Sequence, residues 1–223
     1  MGTLYIVATP IGNLSDISER ALTVLGTVDA VFCEDTRVTR KLLDHYDIPT
    51  RVFAYHQHSD EKVETDIARI LSEGKSLALV SDAGTPGIND PGGRLIADLL
   101  TRMPDLTVVP IPGANAAVTA LSVSGFPADR YQYWGFIPHK KGRQTFFSEL
   151  AACEDTVVFY ESKHRVLKTL QSLTETSPTR RFVVARELTK KFETLYRGTP
   201  GEILQALGED PLGEFVIVAA PLR

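Results

Sequence analysis

Three loops rich in glycine and proline follow apolar segments in the first half of the chain, and together they could bind a ligand. They span residues 9–13, 81–93 and 110–116, and the second contains four glycines. Glycine lets a ligand approach the backbone closely, and proline restricts the conformations of a loop. One such loop would be explained as a tight turn between a strand and a helix. Three of them at one edge of a sheet favour a pocket instead.

Polar side chains in and beside these loops narrow the chemistry of the ligand. The chain has no Gly-X-Gly triplet, so the dinucleotide fingerprint is missing and the loops do not indicate a pyrophosphate ligand. Asp82 at a strand end suits a ligand with hydroxyl or amine donors and positive charge, whereas an Asp that only caps a turn is the alternative. Residues 34–37 (Glu-Asp-Thr-Arg) follow another apolar segment. They are consistent with a catalytic role or with helix capping by Asp35 or Thr36.

The second half carries its polar residues at the ends of apolar segments. Residues 160–165 and 185–191 are rich in charge, and such strand ends are usually solvated or ion-paired. The basic loop 139–143 follows an aromatic stretch and could contact the phosphates of a nucleic acid. The aromatic residues are equally consistent with one half-buried face of a strand. They are Tyr131, Tyr133, Trp134 and Phe136.

Composition excludes several classes of protein. With 223 residues, of which 43% are hydrophobic and 23% charged, the chain is expected to fold as one large or two small domains. A net charge of −4 argues against a protein that coats nucleic acid through bulk charge, although it does not exclude a local basic groove. The two cysteines and five histidines, including His58, lack metal-binding spacings. We therefore expect no metal and no disulfide scaffold, no export signal or membrane span, and a reducing cytoplasmic location.

Strands and helices that alternate along the first half must position the loops. The predicted strands are 4–8, 30–33, 52–55, 77–80 and 107–111. The predicted helices are 17–25, 37–46, 62–72, 93–102 and 114–123. Asp16 with Glu19 resembles a capping box, and Gly74 is placed to end the third helix. The alternation predicts a parallel sheet covered by helices, with its ligand at the carboxyl ends of the strands.

The pattern changes near residues 124–127. The predicted strands beyond it are 131–137, 157–160, 182–187, 192–197 and 215–219, and the predicted helices are 143–153, 165–173 and 202–207. Two strands in direct succession, 182–187 and 192–197, predict an antiparallel hairpin in a mixed sheet. We therefore expect an α/β protein of two α/β domains, residues 1–123 with a net charge of −6 and residues 124–223 with a net charge of +2.

Taken together, these motifs resemble the ribosomal RNA small-subunit methyltransferase I family. The motifs that carry the resemblance are Ala8-Thr9-Pro10-Ile11-Gly12-Asn13-Leu14, Glu34-Asp35-Thr36-Arg37, Ser81-Asp82-Ala83-Gly84-Thr85-Pro86, Pro112-Gly113-Ala114, Gly135-Phe136-Ile137-Pro138 and Arg186-Glu187-Leu188-Thr189-Lys190. That family transfers a methyl group from S-adenosylmethionine (SAM) to the ribose 2′-oxygen of a decoding-region cytidine in 16S rRNA. It belongs to the tetrapyrrole methylase-like superfamily. The resemblance thus implies two α/β domains, an interdomain SAM cleft and a homodimer. Family members usually continue for several dozen residues beyond the last predicted strand, which this sequence does not.

The resemblance also implies roles for individual residues. Those expected to line the SAM pocket are Pro10, Asp82, Gly84, Thr85, Asn115, Ala116 and, from the second domain, Tyr160. Beyond the resemblance, we hypothesise that Glu34, Asp35 or Glu187 accepts or orients the ribose proton. The residues that we expect to hold phosphate or contact RNA are Arg37, Lys140, Lys141, Arg143, Arg165, Arg186 and Lys190.

Methyl transfer from a sulfonium is an in-line displacement, so alignment of the reactants can supply most of the acceleration without a metal. A positioned base would add about 10²–10⁴-fold because a ribose hydroxyl is a poor nucleophile. The expected partner is 16S rRNA within the small ribosomal subunit, with weak binding to naked RNA. Two alternatives are SAM-dependent methylation of a small tetrapyrrole-like acceptor and a SAM- or nucleotide-binding module without turnover.

Overall fold

The computed structural model describes residues 1–56, 61–90 and 92–222, and contacts within the chain divide it into two units. Unit 1 is Met1–Asn115 and unit 2 is Ala116–Arg223. His58 lies outside the described residues, and so does Pro91 of the loop 81–93. Among the helices that are described, none is long and apolar enough to cross a membrane.

Unit 1 is built on a five-stranded parallel sheet. Its strands are β1 (Thr3–Val7), β2 (Ala30–Cys33), β3 (Val52–Ala54), β4 (Leu77–Val80) and β5 (Thr107–Ile111). They lie in the order β3-β2-β4-β1-β5, with Leu4 of β1 opposite Leu77 of β4 and Val108 of β5. The predicted parallel sheet is therefore confirmed. Because the strands are parallel, the loops that follow them all leave the same edge of the sheet.

Four helices connect these strands. They are α1 (Glu19–Thr27), α2 (Thr36–His45), α3 (Glu61–Ser72) and α4 (Gly93–Arg102). Gly74 ends α3 as predicted, with φ +85° and an amide that donates to the Leu71 carbonyl at 3.1 Å.

The capping box predicted for Asp16 and Glu19 is wrong. Ser18 is the N-cap of α1, and its hydroxyl oxygen accepts a hydrogen bond from the Ala21 amide at 3.1 Å. Asp16 ends a separate 3-10 turn, Leu14–Asp16. Ile17 then adopts an extended conformation, which separates that turn from α1 and keeps Asp16 out of the cap.

Apolar side chains pack on both faces of the first sheet. Along β1, Leu4 and Ile6 belong to one hydrophobic cluster, whereas Tyr5 and Val7 belong to the other. All four residues of β4 are buried. Strands buried on both faces are typical of a parallel sheet between helices, and each fully buried leucine contributes roughly 1.5–3 kcal/mol. The edge that carries the loops is therefore the rim of a well-packed core.

Unit 2 is built on a five-stranded mixed sheet. Its strands are β6 (Tyr131–Phe136), β7 (Thr156–Ser162), β8 (Phe182–Arg186), β9 (Thr194–Gly198) and β10 (Glu214–Ala219). They lie in the order β6-β7-β10-β8-β9. β6 pairs with β7 in parallel, and the other pairs are antiparallel. The predicted mixed sheet and the predicted hairpin, now β8–β9, are confirmed.

The two faces of the second sheet are covered differently. The helices of this unit are α5 (Ala116–Ser122), α6 (Arg143–Ala152), α7 (Val166–Thr176) and α8 (Pro200–Leu207). Side chains of α6, α7 and α8 share one core with Phe159 of β7 and Ile217 of β10. α5 packs against β7 and β10. The division between the units therefore precedes α5, whereas the boundary expected from the sequence follows it.

Candidate functional site

The carboxyl ends of β2, β4, β1 and β5 are neighbours in the first sheet, and they bring together loops that are far apart in the sequence. Pro10 follows β1, residues 34–37 follow β2, residues 81–85 follow β4 and residues 112–115 follow β5. Five of the seven residues predicted to line a ligand pocket therefore lie at this one edge. Of the other two, Ala116 is the first residue of α5, and Tyr160 lies on β7 of unit 2.

A short antiparallel bridge joins the loops that follow β1 and β4. The Thr9 amide donates to the Gly84 carbonyl at 2.9 Å, and the Gly84 amide donates to the Thr9 carbonyl at 3.0 Å. The Thr9 hydroxyl donates to the Ser81 carbonyl at 3.0 Å, and the Ser81 hydroxyl donates to the Gly84 carbonyl at 3.0 Å. Since Thr9 and Ser81 are buried, these bonds satisfy polar groups within the core rim and fix the two loops together.

Two glycines let the loops approach each other. Gly84 has φ +88°, in the left-handed region that favours glycine. At Gly113, a Cβ atom would lie only 2.9 Å from the Cβ of Ala8. The Thr85 hydroxyl donates to the Ala114 carbonyl at 3.1 Å, so the loop after β4 is also joined to the loop after β5.

The side chains of Asp82 and Asp35 each accept a hydrogen bond from a backbone amide. Asp82 Oδ1 accepts a hydrogen bond from the Asp35 amide at 2.9 Å, which joins the loops after β2 and β4. Of the two capping residues considered from the sequence, Asp35 is the N-cap of α2, because its Oδ1 accepts the Arg37 amide at 2.8 Å. Its Oδ2 also accepts from Arg37 Nη2 at 2.6 Å. These bonds from Arg37 lower the pKa of Asp35 to about 2, so Asp35 stays ionised at neutral pH.

Asp90 is a candidate that reasoning from the sequence missed. Burial raises its pKa to about 6, and the charges of Glu34 and Asp82 add to that rise, while a hydrogen bond with Ser81 opposes it. Nothing in the sequence distinguishes Asp90 from a loop residue, because Glu34 comes from the end of another strand, β2, and Asp82 from the start of the same long loop. We call Glu34, Asp35, Asp82 and Asp90 the acidic edge. Asp90 also lines a cavity of about 370 Å³ with Tyr55, Gly87, Asn89, Gly92, Gly93 and Arg94.

A second polar cluster lies in unit 2 at the end of β8. Glu187 Oε1 accepts hydrogen bonds from the Glu214 amide at 2.9 Å and from Lys190 Nζ at 3.0 Å. Burial opposes ionisation of Glu187, but these donors and Arg186 outweigh burial and hold its pKa below the usual range. Lys190 Nζ also donates a hydrogen bond to Glu214 Oε2 at 2.8 Å. Burial would lower the pKa of Lys190, but the carboxylates of Glu214 and Glu187 outweigh burial and raise it. Arg186 Nε donates to the Leu212 carbonyl at 2.6 Å.

The loop of this cluster has an unusual backbone. Glu187 has φ +52° and Thr189 has φ +66°, a region that residues other than glycine rarely adopt. Hydrogen bonds hold it, since the Lys190 amide donates to the Glu187 carbonyl at 3.0 Å and the Thr189 amide donates to Glu193 Oε2 at 2.6 Å. Backbone strain of this kind costs about 1–3 kcal/mol per residue and is concentrated at functional sites.

Arg143 and Arg165, both predicted to contact RNA, are tied to a buried carboxylate. The Glu161 side chain is fully buried, and its Oε1 lies 2.8 Å from Arg165 Nη2. Its Oε2 lies 3.7 Å from Arg143 Nη1 and accepts a hydrogen bond from the Thr169 hydroxyl at 2.7 Å. The side chains of Arg143 and Arg165 are only 19% and 16% exposed. This network ties α6 and α7 to the end of β7, and it engages both guanidinium groups inside the protein.

Two other predicted RNA contacts remain at the surface. Lys140 and Lys141 are exposed in the loop between β6 and α6. Within the described ranges, no group of three or more His, Cys, Asp and Glu side chains is arranged to hold a metal ion.

Comparison with known proteins identifies the family. Residues 3–204 match the family described as Tetrapyrrole (Corrin/Porphyrin) Methylases. The chain is 49% identical to a ribosomal RNA small subunit methyltransferase I from Escherichia coli O157:H7, over 97% of this chain and 77% of that protein. The protein of that name from Bacillus subtilis (strain 168) is 44% identical over 98% of this chain and 75% of the relative. The chain belongs to the ribosomal RNA small subunit methyltransferase I family.

Solved structures agree with this family at the level of the fold. A diphthine synthase superimposes with a TM-score of 0.74 at 12% identity, covering 99% of this chain and 90% of the other. The cobalt precorrin-4 methyltransferase CbiF gives a TM-score of 0.72 at 18% identity, covering 98% and 94%. A uroporphyrin-III C-methyltransferase from Thermus thermophilus, complexed with S-adenyl homocysteine, gives 0.65 at 17% identity, covering 97% of each chain. The tetrapyrrole methylase-like fold predicted for this family member is thus confirmed.

Proposed function

We propose that this protein methylates the ribose 2′-oxygen of a cytidine in the decoding region of 16S rRNA, with SAM as methyl donor. The observation that carries the proposal is the convergence of three braced loops on the acidic edge of unit 1. Relatives at 44–49% identity that bear the name ribosomal RNA small subunit methyltransferase I support the substrate class. The cytidine and the 2′-oxygen come from the resemblance of the motifs.

The acidic edge fits SAM by charge and by shape. SAM supplies an electrophilic methyl group on a positively charged sulfonium, and it also carries an ammonium group. Asp82 lies at the strand end with a half-buried carboxylate, and Gly84 presents backbone rather than a side chain to the same edge. We assign the binding of SAM to Pro10, Asp82, Gly84, Thr85, Asn115 and Ala116, with Tyr160 contributed by unit 2.

The carboxylates of the site have different tasks in this proposal. Asp35 and Glu187 are held in their ionised form by cationic partners, so they are weak proton acceptors. We assign them to the positioning of Arg37 and Lys190, which face the phosphates of the RNA together with Arg186. Glu34 follows β2 directly, is half-buried and is close enough to raise the pKa of Asp90. Glu34 is therefore our choice for the group that accepts the ribose proton.

The partner in this proposal is 16S rRNA within the small ribosomal subunit, so the protein acts in the cytoplasm. Lys140 and Lys141 would contact phosphates, while Arg143 and Arg165 would hold the loop that carries them. The net charge of −4 supports recognition of shaped RNA in a particle rather than strong binding to naked RNA. From the resemblance of the motifs we also propose that the protein forms a homodimer. We assign no role to a metal ion in the reaction.

The transfer of tritiated methyl groups from SAM tests this function. Small ribosomal subunits that lack the modification, a free RNA oligonucleotide and a tetrapyrrole acceptor are offered in parallel. The proposal expects incorporation into the subunits and far less into the other two acceptors. Incorporation into the tetrapyrrole alone, or binding of SAM without transfer to any acceptor, would contradict it.

A further inference from the structure

Unit 2 carries an aromatic surface, and the proposed function has assigned a role to only one of its residues, Tyr160. β6 is an edge strand of the second sheet, and rings from β6 and β7 meet on the face opposite the core of α6, α7 and α8. The ring centroids of Tyr133 and Tyr160 are 5.5 Å apart, and those of Phe136 and Tyr160 are 5.3 Å apart. Phe136 is 54% exposed and Tyr131 is 41% exposed. We call these four residues the aromatic surface.

A β-bulge places Phe136 on this face. Trp134 packs against the core of α6, α7 and α8, with its ring centroid 5.2 Å from that of Phe146. In a regular strand Phe136 would point to the same side as Trp134, since side chains alternate with a period of two. The pairing of β6 with β7 shifts between Tyr133 and Phe136, and Gly135 has φ +64°. Because of the bulge, the phenyl ring of Phe136 points to solvent instead of toward the core.

The loop after β6 adds positive charge to this surface. Residues 131–143 contain three lysine or arginine residues and one histidine, and they contain no carboxylate. The loop is braced, because Arg165 Nη1 donates to the Ile137 carbonyl at 2.8 Å and the Arg143 amide donates to the Lys140 carbonyl at 3.3 Å. Lys140 and Lys141 therefore extend from a fixed backbone a few residues beyond the exposed ring.

We propose that the aromatic surface is a stacking platform for an unpaired base of the RNA substrate, with Lys140 and Lys141 on the flanking phosphates. The proposal rests on the proposed function and adds a recognition site to it. Aromatic rings stack on the face of any base, and lysines neutralise the backbone beside it. A second copy of this chain is a poorer occupant, because a two-fold axis through the surface would bring the same positive loops together.

Substitutions of Phe136 test the platform with small ribosomal subunits as substrate. Phe136→Leu keeps an apolar side chain but removes the ring, whereas Phe136→Trp keeps a stacking ring. Since loss of one stacked base weakens binding about 5- to 100-fold, Phe136→Leu should raise KM for the subunits by that factor and leave kcat unchanged. Phe136→Trp should keep KM for the subunits at its wild-type value. The matched control is Phe53→Leu, which alters an exposed phenylalanine (46%) on an edge strand of unit 1 and should leave KM unchanged.

The lysines are tested by salt dependence. Lys140→Gln with Lys141→Gln should raise KM and reduce the slope of log KM against log salt by about 1.4, as expected for two contacts to single-stranded phosphates. An unchanged KM for Phe136→Leu, while the wild type methylates subunits, would overturn the platform and leave the proposed function standing. A shift of oligomeric state in Phe136→Leu would also overturn it, because a second copy of the chain would then cover the ring. A wild type that does not methylate subunits would overturn both proposals.

Discussion

The backbone amide of Asp35 donates a hydrogen bond to Oδ1 of Asp82 at 2.9 Å. A carboxylate at the end of β4 therefore holds the N-cap residue of α2 in place. The same carboxylate lies beside the loops that the Thr9–Gly84 bridge joins. Asp82 therefore links the ends of β2 and β4, and in the proposed function the site at this edge depends on it both for charge and for shape.

The first prediction concerns the charge of Asp82. Asp82→Asn keeps an oxygen that can accept the Asp35 amide but removes the negative charge proposed to face SAM. Loss of one charge-assisted hydrogen bond should raise the Kd for SAM about 10- to 100-fold, measured by calorimetry. Asp29→Asn is the matched control, because Asp29 accepts the Ser76 amide at 2.8 Å just before β4 begins, at the opposite edge of the sheet. Equal affinities in the wild type and Asp82→Asn would contradict the assignment.

The second prediction separates the carboxylates that could accept the ribose proton. Glu34→Gln should lower the single-turnover rate by about 10²–10⁴-fold with saturating SAM and subunits. Asp35→Asn and Glu187→Gln should instead raise KM for the subunits, since their carboxylates position Arg37 and Lys190. A wild-type single-turnover rate in Glu34→Gln would rule out Glu34 as the base.

The third prediction concerns the pH dependence of stability. The pKa of Asp90 is about 6 in the folded protein, against 3.8 as its ordinary value, so the folded state binds this proton more tightly. The resulting stabilisation is complete below pH 3.8 and is lost as the pH rises toward 6. In the wild type, the free energy of unfolding should therefore fall between pH 4 and pH 7. In Asp90→Asn this fall should be smaller by about 1–3 kcal/mol, measured by urea denaturation at each pH.

Asp105→Asn serves as the control for that comparison, because Asp105 is exposed. It should leave the difference in stability between the two pH values as it is in the wild type. If Asp90→Asn behaved like Asp105→Asn, burial and the charges of Glu34 and Asp82 would not raise the pKa of Asp90.

The fourth prediction concerns the buried network of unit 2. Glu161→Gln removes the charge that Arg143 and Arg165 share, and removal of one partner from a buried ion pair costs about 3–5 kcal/mol. The free energy of unfolding should fall by about that amount in a denaturant titration. Glu202→Gln is the control, because Glu202 and its partner Arg181 are 62% and 58% exposed, and it should cause little change. A loss as small as that of the control would show that the network does not stabilise unit 2.

Much of the fold could be predicted because hydrophobic runs and turn residues specify strands locally. β2, β4 and β5 have the predicted limits, and the parallel arrangement followed from the alternation with helices. The gathering of the loops at one edge followed from that arrangement alone. Local patterns failed where two cap residues competed, since Ser18 rather than Asp16 caps α1.

The electrostatics of the site could not be predicted, because they depend on residues that the fold brings together. The pKa of Asp90 is set partly by Glu34, which is distant in the sequence. Likewise, the sequence shows Arg143 and Arg165 only as basic loop residues, and their burial against Glu161 requires the packing of α6 and α7 on β7. The bulge that exposes Phe136 depends on the register with β7, which no local pattern specifies.

Mapping the methyl group that this protein transfers tests the proposed function at the level of the modified atom. Small ribosomal subunits lacking the modification are incubated with the protein and labelled SAM, and the RNA is digested to nucleosides for mass spectrometry. We expect one labelled nucleoside, a cytidine with the added methyl group on its ribose, from the decoding region of 16S rRNA. A methyl group on a base, on another RNA or on no RNA at all would contradict it.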